Sequence, residues 1–241
     1  MIPRLAEGAT VVCIASGPSL TTEDVQYVRG KAIVIAINDA VLQASDPPVM
    51  TWKGYEAGTS WADVVYSSDQ IWWSAHYRTL RTFQGLKVRV HAKLHKAKVG
   101  RTSPLYCAGC DRRLTRAEKA CWCEGITTFG NAGERGVCFD PVSICTAENS
   151  GGGAINAAVH LGAKRIVLLG YDMGIDERGR RHFYDTGPAF VNSPFLKFRK
   201  LIATMAGPLR DAGIEVLNCS RRSALDCFPL ASLTVLQSRA A

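Results

Sequence analysis

The chain has 241 residues, 47% hydrophobic and 21% charged, with a formal net charge of +8 and nine cysteines. That length holds one large α/β domain, or one domain plus an insert, and the balance of residues excludes a disordered chain. No run of about 18 apolar residues occurs, which excludes a helical membrane span.

The stretch Met1-Ile2-Pro3-Arg4-Leu5 lacks the apolar core of a signal peptide, so the expectation is a soluble, cytoplasmic protein. An odd number of cysteines argues against a disulfide framework. The positive charge admits a polyanionic partner and equally a site for phosphorylated ligands.

Val11 to Ala15 is an apolar run that enters Ser16-Gly17-Pro18-Ser19-Leu20. A short apolar run bounded by such a turn predicts a buried parallel strand. Thr21 or Thr22 then caps a helix over about Thr22 to Val28, with Glu23 and Asp24 in its first turn and Gly30 at its end. Strand, small-residue loop and helix start together make a phosphate-binding geometry in which backbone N–H groups face an anion. The alternative is an ordinary strand-to-helix turn.

Lys31 to Ile37 is a second predicted strand, and the helix between the two completes a right-handed βαβ unit. Asn38 then stands at the carboxyl end of that strand, where open parallel sheets bind ligands; its plainer role is that of a turn residue. A third strand is expected over Trp61 to Asp69, a helix carrying Trp72, Trp73 and His76, and a fourth strand over Lys87 to Val90.

From Lys93 to Asp140 the hydrophobic periodicity fades, and the segment is expected to be an insertion separating the two parts of one domain, residues 1–92 and 141–241. Lys and Arg concentrate between Arg78 and Lys119, so this region offers a surface for nucleic acid or simply a solvated basic face. Within it lie Cys107-Ala-Gly-Cys110 and Cys121-Trp-Cys123. Two thiolate pairs at this spacing suit a structural Zn2+ with four Cys ligands, against free thiols in a loop. Cys-x-Cys departs from the usual Cys-x-x-Cys, and Cys138, His91 or His95 are substitutes for one ligand.

Asn149-Ser150-Gly151-Gly152-Gly153 opens an alanine-rich helix running to about Ala163. Its small face permits close approach to a sheet, and Ser150 and Gly151 stand at the positive end of the helix. His160 inside that helix is expected to be structural. Lys164 to Leu169 is a strand that ends in Gly170-Tyr171-Asp172. A polar loop follows with His182, then a helix over Ser193 to Ala212 with Leu196, Leu201, Ile202, Met205 and Leu209 as its buried stripe. Ile214 to Cys219 is the last strand, followed by Ser220 to Leu225. The whole predicts an α/β, Rossmann-like, mostly parallel sheet with helices on both faces plus a small Cys-rich insertion.

Taken in order, the strand into Gly17-Pro18-Ser19-Leu20, the strand ending in Asn38, Ser150-Gly151 before an Ala-rich helix, Gly170-Tyr171-Asp172 and Asn218-Cys219-Ser220 through Ser223-Ala224-Leu225 to Phe228-Pro229 resemble a known superfamily. It joins sialyltransferases that use CMP-sialic acid, Maf flagellin glycosyltransferases and 6-hydroxymethylpterin diphosphokinases, and the chain looks closest to members carried by phages and prophages. The resemblance covers about residues 8–70 and 145–230.

It implies a nucleotide-dependent transferase, with a nucleotide or nucleotide-sugar donor held by Ser16, Gly17, Pro18, Ser19, Asn38, Asp69, Ser150, Gly151 and Ser223. It further implies that Asp172 contacts ribose, or binds a metal in the diphosphokinase branch, and that His182 is the general base. A diphosphokinase would require Mg2+ on carboxylates such as Asp69 and Asp172. The third alternative is a non-catalytic nucleotide- or nucleic-acid-binding phage protein, which would act in the host cytoplasm.

Overall fold

The computed structural model describes residues 2–42, 61–76, 80, 83–90, 106–107, 112–113, 125–184 and 193–236. Its ten strands are β1 (Thr10–Ile14), β2 (Ile33–Ile37), β3 (Val64–Ser67), β4 (Leu86–Val90), β5 (Tyr106–Cys107), β6 (Arg112–Arg113), β7 (Thr127–Gly133), β8 (Ser143–Cys145), β9 (Arg165–Leu169) and β10 (Glu215–Asn218). The helices are α1 (Thr22–Val28), α2 (Gln70–His76), α3 (Ser150–His160) and α4 (Phe195–Asp211).

Eight strands form one sheet in the order β10-β9-β1-β2-β3-β4-β7-β8, and every pairing in it is parallel. The fold is α/β and Rossmann-like, with helices on both faces.

The central strands are apolar throughout because both of their faces are covered. On one face Val25 and Val28 of α1 and Trp72 and Trp73 of α2 pack with Val12, Ile14, Val34 and Val65. On the other, Ala154, Ile155 and Ala158 of α3 and Leu201, Ile202 and Met205 of α4 pack with Val11, Cys13, Ile35 and Leu168. Small residues bring α3 down onto the sheet. A Cβ on Gly153 would lie 2.0 Å from the Tyr66 hydroxyl, so no other residue fits there without displacing that ring. Asn156, fully buried in α3, binds the neighbouring chain: its Oδ1 accepts from the N–H of Cys138 at 2.8 Å and of Cys145 at 2.9 Å, and its Nδ2 donates to the Cys138 carbonyl.

The topology creates one switch point. From β1 the chain steps outward through β2, β3, β4, β7 and β8, then returns through α3 to place β9 on the other side of β1. Connections on the two sides of the β1/β9 boundary leave in opposite directions, the arrangement beside which open parallel sheets place their ligands.

Several sequence expectations are corrected. Thr127–Gly133 lies inside the span assigned to the insertion, yet it pairs with β4 as a strand of the main sheet. The sequence there is Thr-Thr-Phe-Gly-Asn-Ala-Gly and contributes only Phe129 to the core, so hydrophobicity could not mark it. β8 was not anticipated for the same reason, being three residues long. The third strand begins at Val64, after Trp61. Leu196 is 57% exposed and not part of the buried stripe of α4, whose first turn extends beyond the sheet. His160 is structural, as expected: its Nε2 meets the Ser143 carbonyl at 2.9 Å and its ring stacks on Phe129. The side chains of Cys107, Cys110, Cys121 and Cys123, the predicted zinc ligands, lie outside the described residues. Among the described residues no helix is long and apolar enough to cross a membrane.

Candidate functional site

The loop after β1 lies against the end of β9. Gly17 N–H donates to the Gly170 carbonyl (2.9 Å), and Leu20 N–H to the Gly17 carbonyl (3.1 Å). Ser19 closes the loop by donating twice to Asp172, its N–H to Oδ1 and its hydroxyl to Oδ2, both at 2.9 Å. A Cβ on Gly17 would stand 2.1 Å from Asp172 Oδ2 and 2.3 Å from the Gly170 carbonyl oxygen. The glycine is therefore required by the close approach of this carboxylate. Asp172 is 6% exposed, and burial raises its pKa against the lowering effect of the two Ser19 donors.

This bears on the expected phosphate loop. The N–H groups of Gly17, Ser19 and Leu20 are consumed inside the protein and Pro18 has none, so the loop is a latch on Asp172 that leaves only the Ser16 N–H for an anion.

His182 is placed by the same loop. Phe183 N–H donates to the Ser16 carbonyl at 3.0 Å, and Ser16 Oγ and His182 Nδ1 share a hydrogen bond of 2.9 Å. Burial lowers the pKa of His182, opposed by the nearby Asp39 carboxylate and by Ser16. Burial thus favours the neutral imidazole. Its ring stacks on Tyr184, with centroids 5.2 Å apart and planes 10° from parallel.

Tyr184 leads to a residue that sequence reasoning missed. Its hydroxyl donates to Asp39 Oδ2 at 2.6 Å, while Trp72 Nε1 donates to Asp39 Oδ1 at 2.8 Å and His76 Nε2 lies 3.7 Å away. Asp39 thus ties the end of β2 to α2 and to the loop carrying His182. Its partners are 33 and 145 positions away in sequence. The one local signal was its place beside Asn38 at a strand end.

Asn38 adopts φ 51°, and its Oδ1 is buried with no hydrogen-bond partner among the described residues. Ala147 (49°), Glu148 (54°) and Met173 (49°) are the other non-glycine residues described with positive φ. All four lie just past the carboxyl ends of β2, β8 and β9. Backbone strain of this kind costs of order 1–3 kcal/mol per residue and collects at functional sites.

At the start of α3, Asn149 caps the helix by accepting from Gly152 N–H at 2.9 Å. The N–H groups of Ser150 and Gly151 precede any intrahelical acceptor and so remain the positive end of an eleven-residue helix. Ser150 Oγ accepts from Ser68 N–H at 3.0 Å, which locks the helix start onto the end of β3.

Two other predicted site residues have structural duties. Asp69 caps α2, with its Oδ1 accepting from Ile71 N–H (2.7 Å) and Trp72 N–H (3.3 Å). Ser223 donates to the Tyr171 carbonyl (2.6 Å) and accepts from Asn218 Nδ2 (2.9 Å) and Leu225 N–H (3.1 Å), so all three of its hydrogen-bonding positions are used.

Nor do Asp69 and Asp172 suit a shared Mg2+. They follow β3 and β9, three strand spacings apart, or about 14 Å, whereas ligands of one Mg2+ sit about 2.1 Å from the ion.

No family model, curated protein or solved structure matches the chain. The functional reading therefore rests on this geometry. A cleft of about 860 Å3 also exists at the opposite, amino-terminal edge of the sheet, with Arg29, Lys31, Trp61, Lys164 and Arg165 among its walls. It contains none of the strained residues and none of the His182 network.

Proposed function

We propose that the protein is a nucleotide-dependent transferase, a sialyltransferase-like glycosyltransferase whose nucleotide-sugar donor lies across the carboxyl ends of β1, β2 and β3. The observation that carries this reading is Asn38, a residue at φ 51° beside the switch point with a buried amide oxygen that lacks a donor among the described residues. A buried unsatisfied acceptor costs about 1–3 kcal/mol, and an N–H or O–H of a ligand recovers that cost.

Ser150 and Gly151 at β3, Asn38 at β2 and His182 at β1 follow one another at successive strand ends, spanning about 10 Å at the usual interstrand spacing. The helix start receives the donor's phosphates, Asn38 contacts the nucleoside, and His182 marks the place of transfer.

In the transfer step the bond from the anomeric carbon to the phosphate oxygen breaks and a bond to the acceptor oxygen forms. The acceptor proton passes to His182. If Nδ1–H donates to Ser16 Oγ, Nε2 carries the lone pair that would take that proton, and the lowered pKa favours that neutral form. Asp39 holds Tyr184, and Tyr184 holds the imidazole plane. The two-carboxylate metal site of a diphosphokinase does not fit, and no step is routed through Mg2+.

Calorimetric titration with cytidine and other nucleoside mono- and diphosphates, without added metal, tests the site. Asn38→Ala is expected to weaken binding at least fivefold. Unchanged affinity in a folded Asn38→Ala protein refutes the assignment. Nucleotide binding with neither donor hydrolysis nor transfer would point to the non-catalytic alternative, and transfer unaffected by His182→Ala would remove His182 as the base.

A further inference from the structure

The carboxyl edge carries more positive charge than a nucleotide donor uses. Eight Lys and Arg ring the β9 and β10 ends and the start of α4. Four of these are neutralised: Arg180 by Asp176, Lys197 by Glu148, Arg221 by Asp24 and Arg222 by Glu177. The other four, Arg178, Arg181, Arg199 and Lys200, have no acid partner among the described residues.

Internal contacts hold three of them at this edge, and Lys200 follows Arg199 on the exposed side of α4. Asp176 Oδ1 accepts from the N–H of Arg178 and of Arg180, which closes the loop bearing Arg178. Arg181 lies 5.8 Å over the ring of Phe195, the first residue of α4. Arg199 donates to the Ala224 carbonyl, Ala224 N–H donates to the Asp172 carbonyl, and the Arg199 Nε is buried without a partner. Beside them in sequence, in the loop of Arg178 and the first turn of α4, two apolar side chains are exposed, Ile175 (54%) and Leu196 (57%).

We propose that this rim binds a single-stranded nucleic acid, which the transferase reading makes its acceptor. Three of the four unpaired cations are arginines, whose planar donors match phosphate oxygens two at a time. Apolar and aromatic side chains set among them give unpaired bases a surface to lie on, as in single-strand grooves. A duplex keeps its bases stacked inside and would cover Ile175 and Leu196 with nothing to contact. An acidic peptide would use the charge but neither the arginine geometry nor the apolar positions. The role as acceptor rests on the proposed function; the binding itself does not.

The test uses the full chain and a fluorescein-labelled 15-nucleotide oligothymidylate, with anisotropy read between 50 and 200 mM NaCl. Four phosphate contacts give a slope of log K against log salt of about −2.8 for a single strand. Arg178→Ala/Arg181→Ala/Lys200→Ala should reduce the slope to about −0.7 and weaken binding more than tenfold at 50 mM salt. An equal charge change at the amino edge, Arg29→Ala/Lys31→Ala/Lys164→Ala, should leave both values in place.

Undiminished binding by the rim variant, equal loss in both variants, or preference for the matching duplex or for a polyglutamate peptide overturns the proposal. Nucleotide titration of the same proteins separates the two readings. Oligonucleotide binding without any nucleotide binding leaves the rim standing and removes the donor site; the reverse removes only the rim.

Discussion

Gly17→Ala tests whether the loop after β1 is a latch. The added methyl would sit 2.1 Å from Asp172 Oδ2 and 2.3 Å from the Gly170 carbonyl oxygen, where ordinary contact begins about 1 Å further out. Neither neighbour is the free end of a flexible chain, so the loop must lift. Lifting breaks the Gly17 N–H bond to Gly170 and loosens the two Ser19 bonds to Asp172. A neutral hydrogen bond contributes about 1 kcal/mol, and one to a charged group about 1.5–3 kcal/mol. Part of this returns when the carboxylate regains water, which leaves a loss of about 2–4 kcal/mol. At this chain length that lowers Tm by roughly 5–12 °C.

The assay is urea denaturation followed by circular dichroism. Gly174→Ala is the control on the same edge: its Cβ would meet nothing closer than 3.7 Å, and the change should be neutral to slightly stabilising. In an Asp172→Ala background one of the two clashes disappears, so Gly17→Ala should cost less there. A loss below 1 kcal/mol, or one indifferent to the Asp172 background, refutes the latch.

Asn156→Ala removes three hydrogen bonds that hold Cys138 and Cys145 on α3, and should cost about 3 kcal/mol or more by urea melts, near the limit for a single change. His182 is depressed by burial, so its folded pKa lies below its unfolded value of about 6.5. The folded state then binds fewer protons in that window, and the stability this confers is present above pH 6.5 and lost as pH falls through the folded pKa. NMR titration should find His182 deprotonated at pH 6.5, and the urea midpoint should fall less between pH 7.5 and 5.5 in His182→Gln than in the parent.

The features legible in the sequence were those set by local chemistry. The helix cap at Thr21 or Thr22 and the apolar runs of β1, β2 and β9 announce themselves within ten positions. β7 did not, because it contributes only Phe129 to the core and its polar residues look like loop, and β8 did not, because its buried pair Ile144 and Cys145 is too short a run to mark a strand. At the site, the meeting of Ser16 with His182 was outside what pattern could show, since it joins positions 166 apart. Asp39 was overlooked because nothing in its own neighbourhood records Trp72 and Tyr184 arriving from elsewhere. Ser223 and Asp69 looked like ligand residues for the opposite reason: Ser and Asp at strand ends are equally the residues that tie loops and cap helices.

In the proposed reading the nucleotide moves away from the first loop. The N–H groups of Gly17 and Ser19 go to Gly170 and Asp172, and that of Leu20 turns back to Gly17. The proposed donors are instead those of Ser150 and Gly151, two strands away, with the unpartnered Asn38 oxygen between them among the described residues. A latch on Asp172 fixes the loop that carries Ser16, and Ser16 meets His182, so in this reading the first loop would serve the reacting end of a ligand through a side chain. In this reading the phosphates would sit at the start of α3. Its glycines are set by packing, since a Cβ on Gly152 would stand 2.4 Å from that of Ala147 and one on Gly153 2.0 Å from the Tyr66 hydroxyl, while Ala147 and Glu148 just before it adopt φ 49° and 54°, the kind of backbone strain that collects at functional sites.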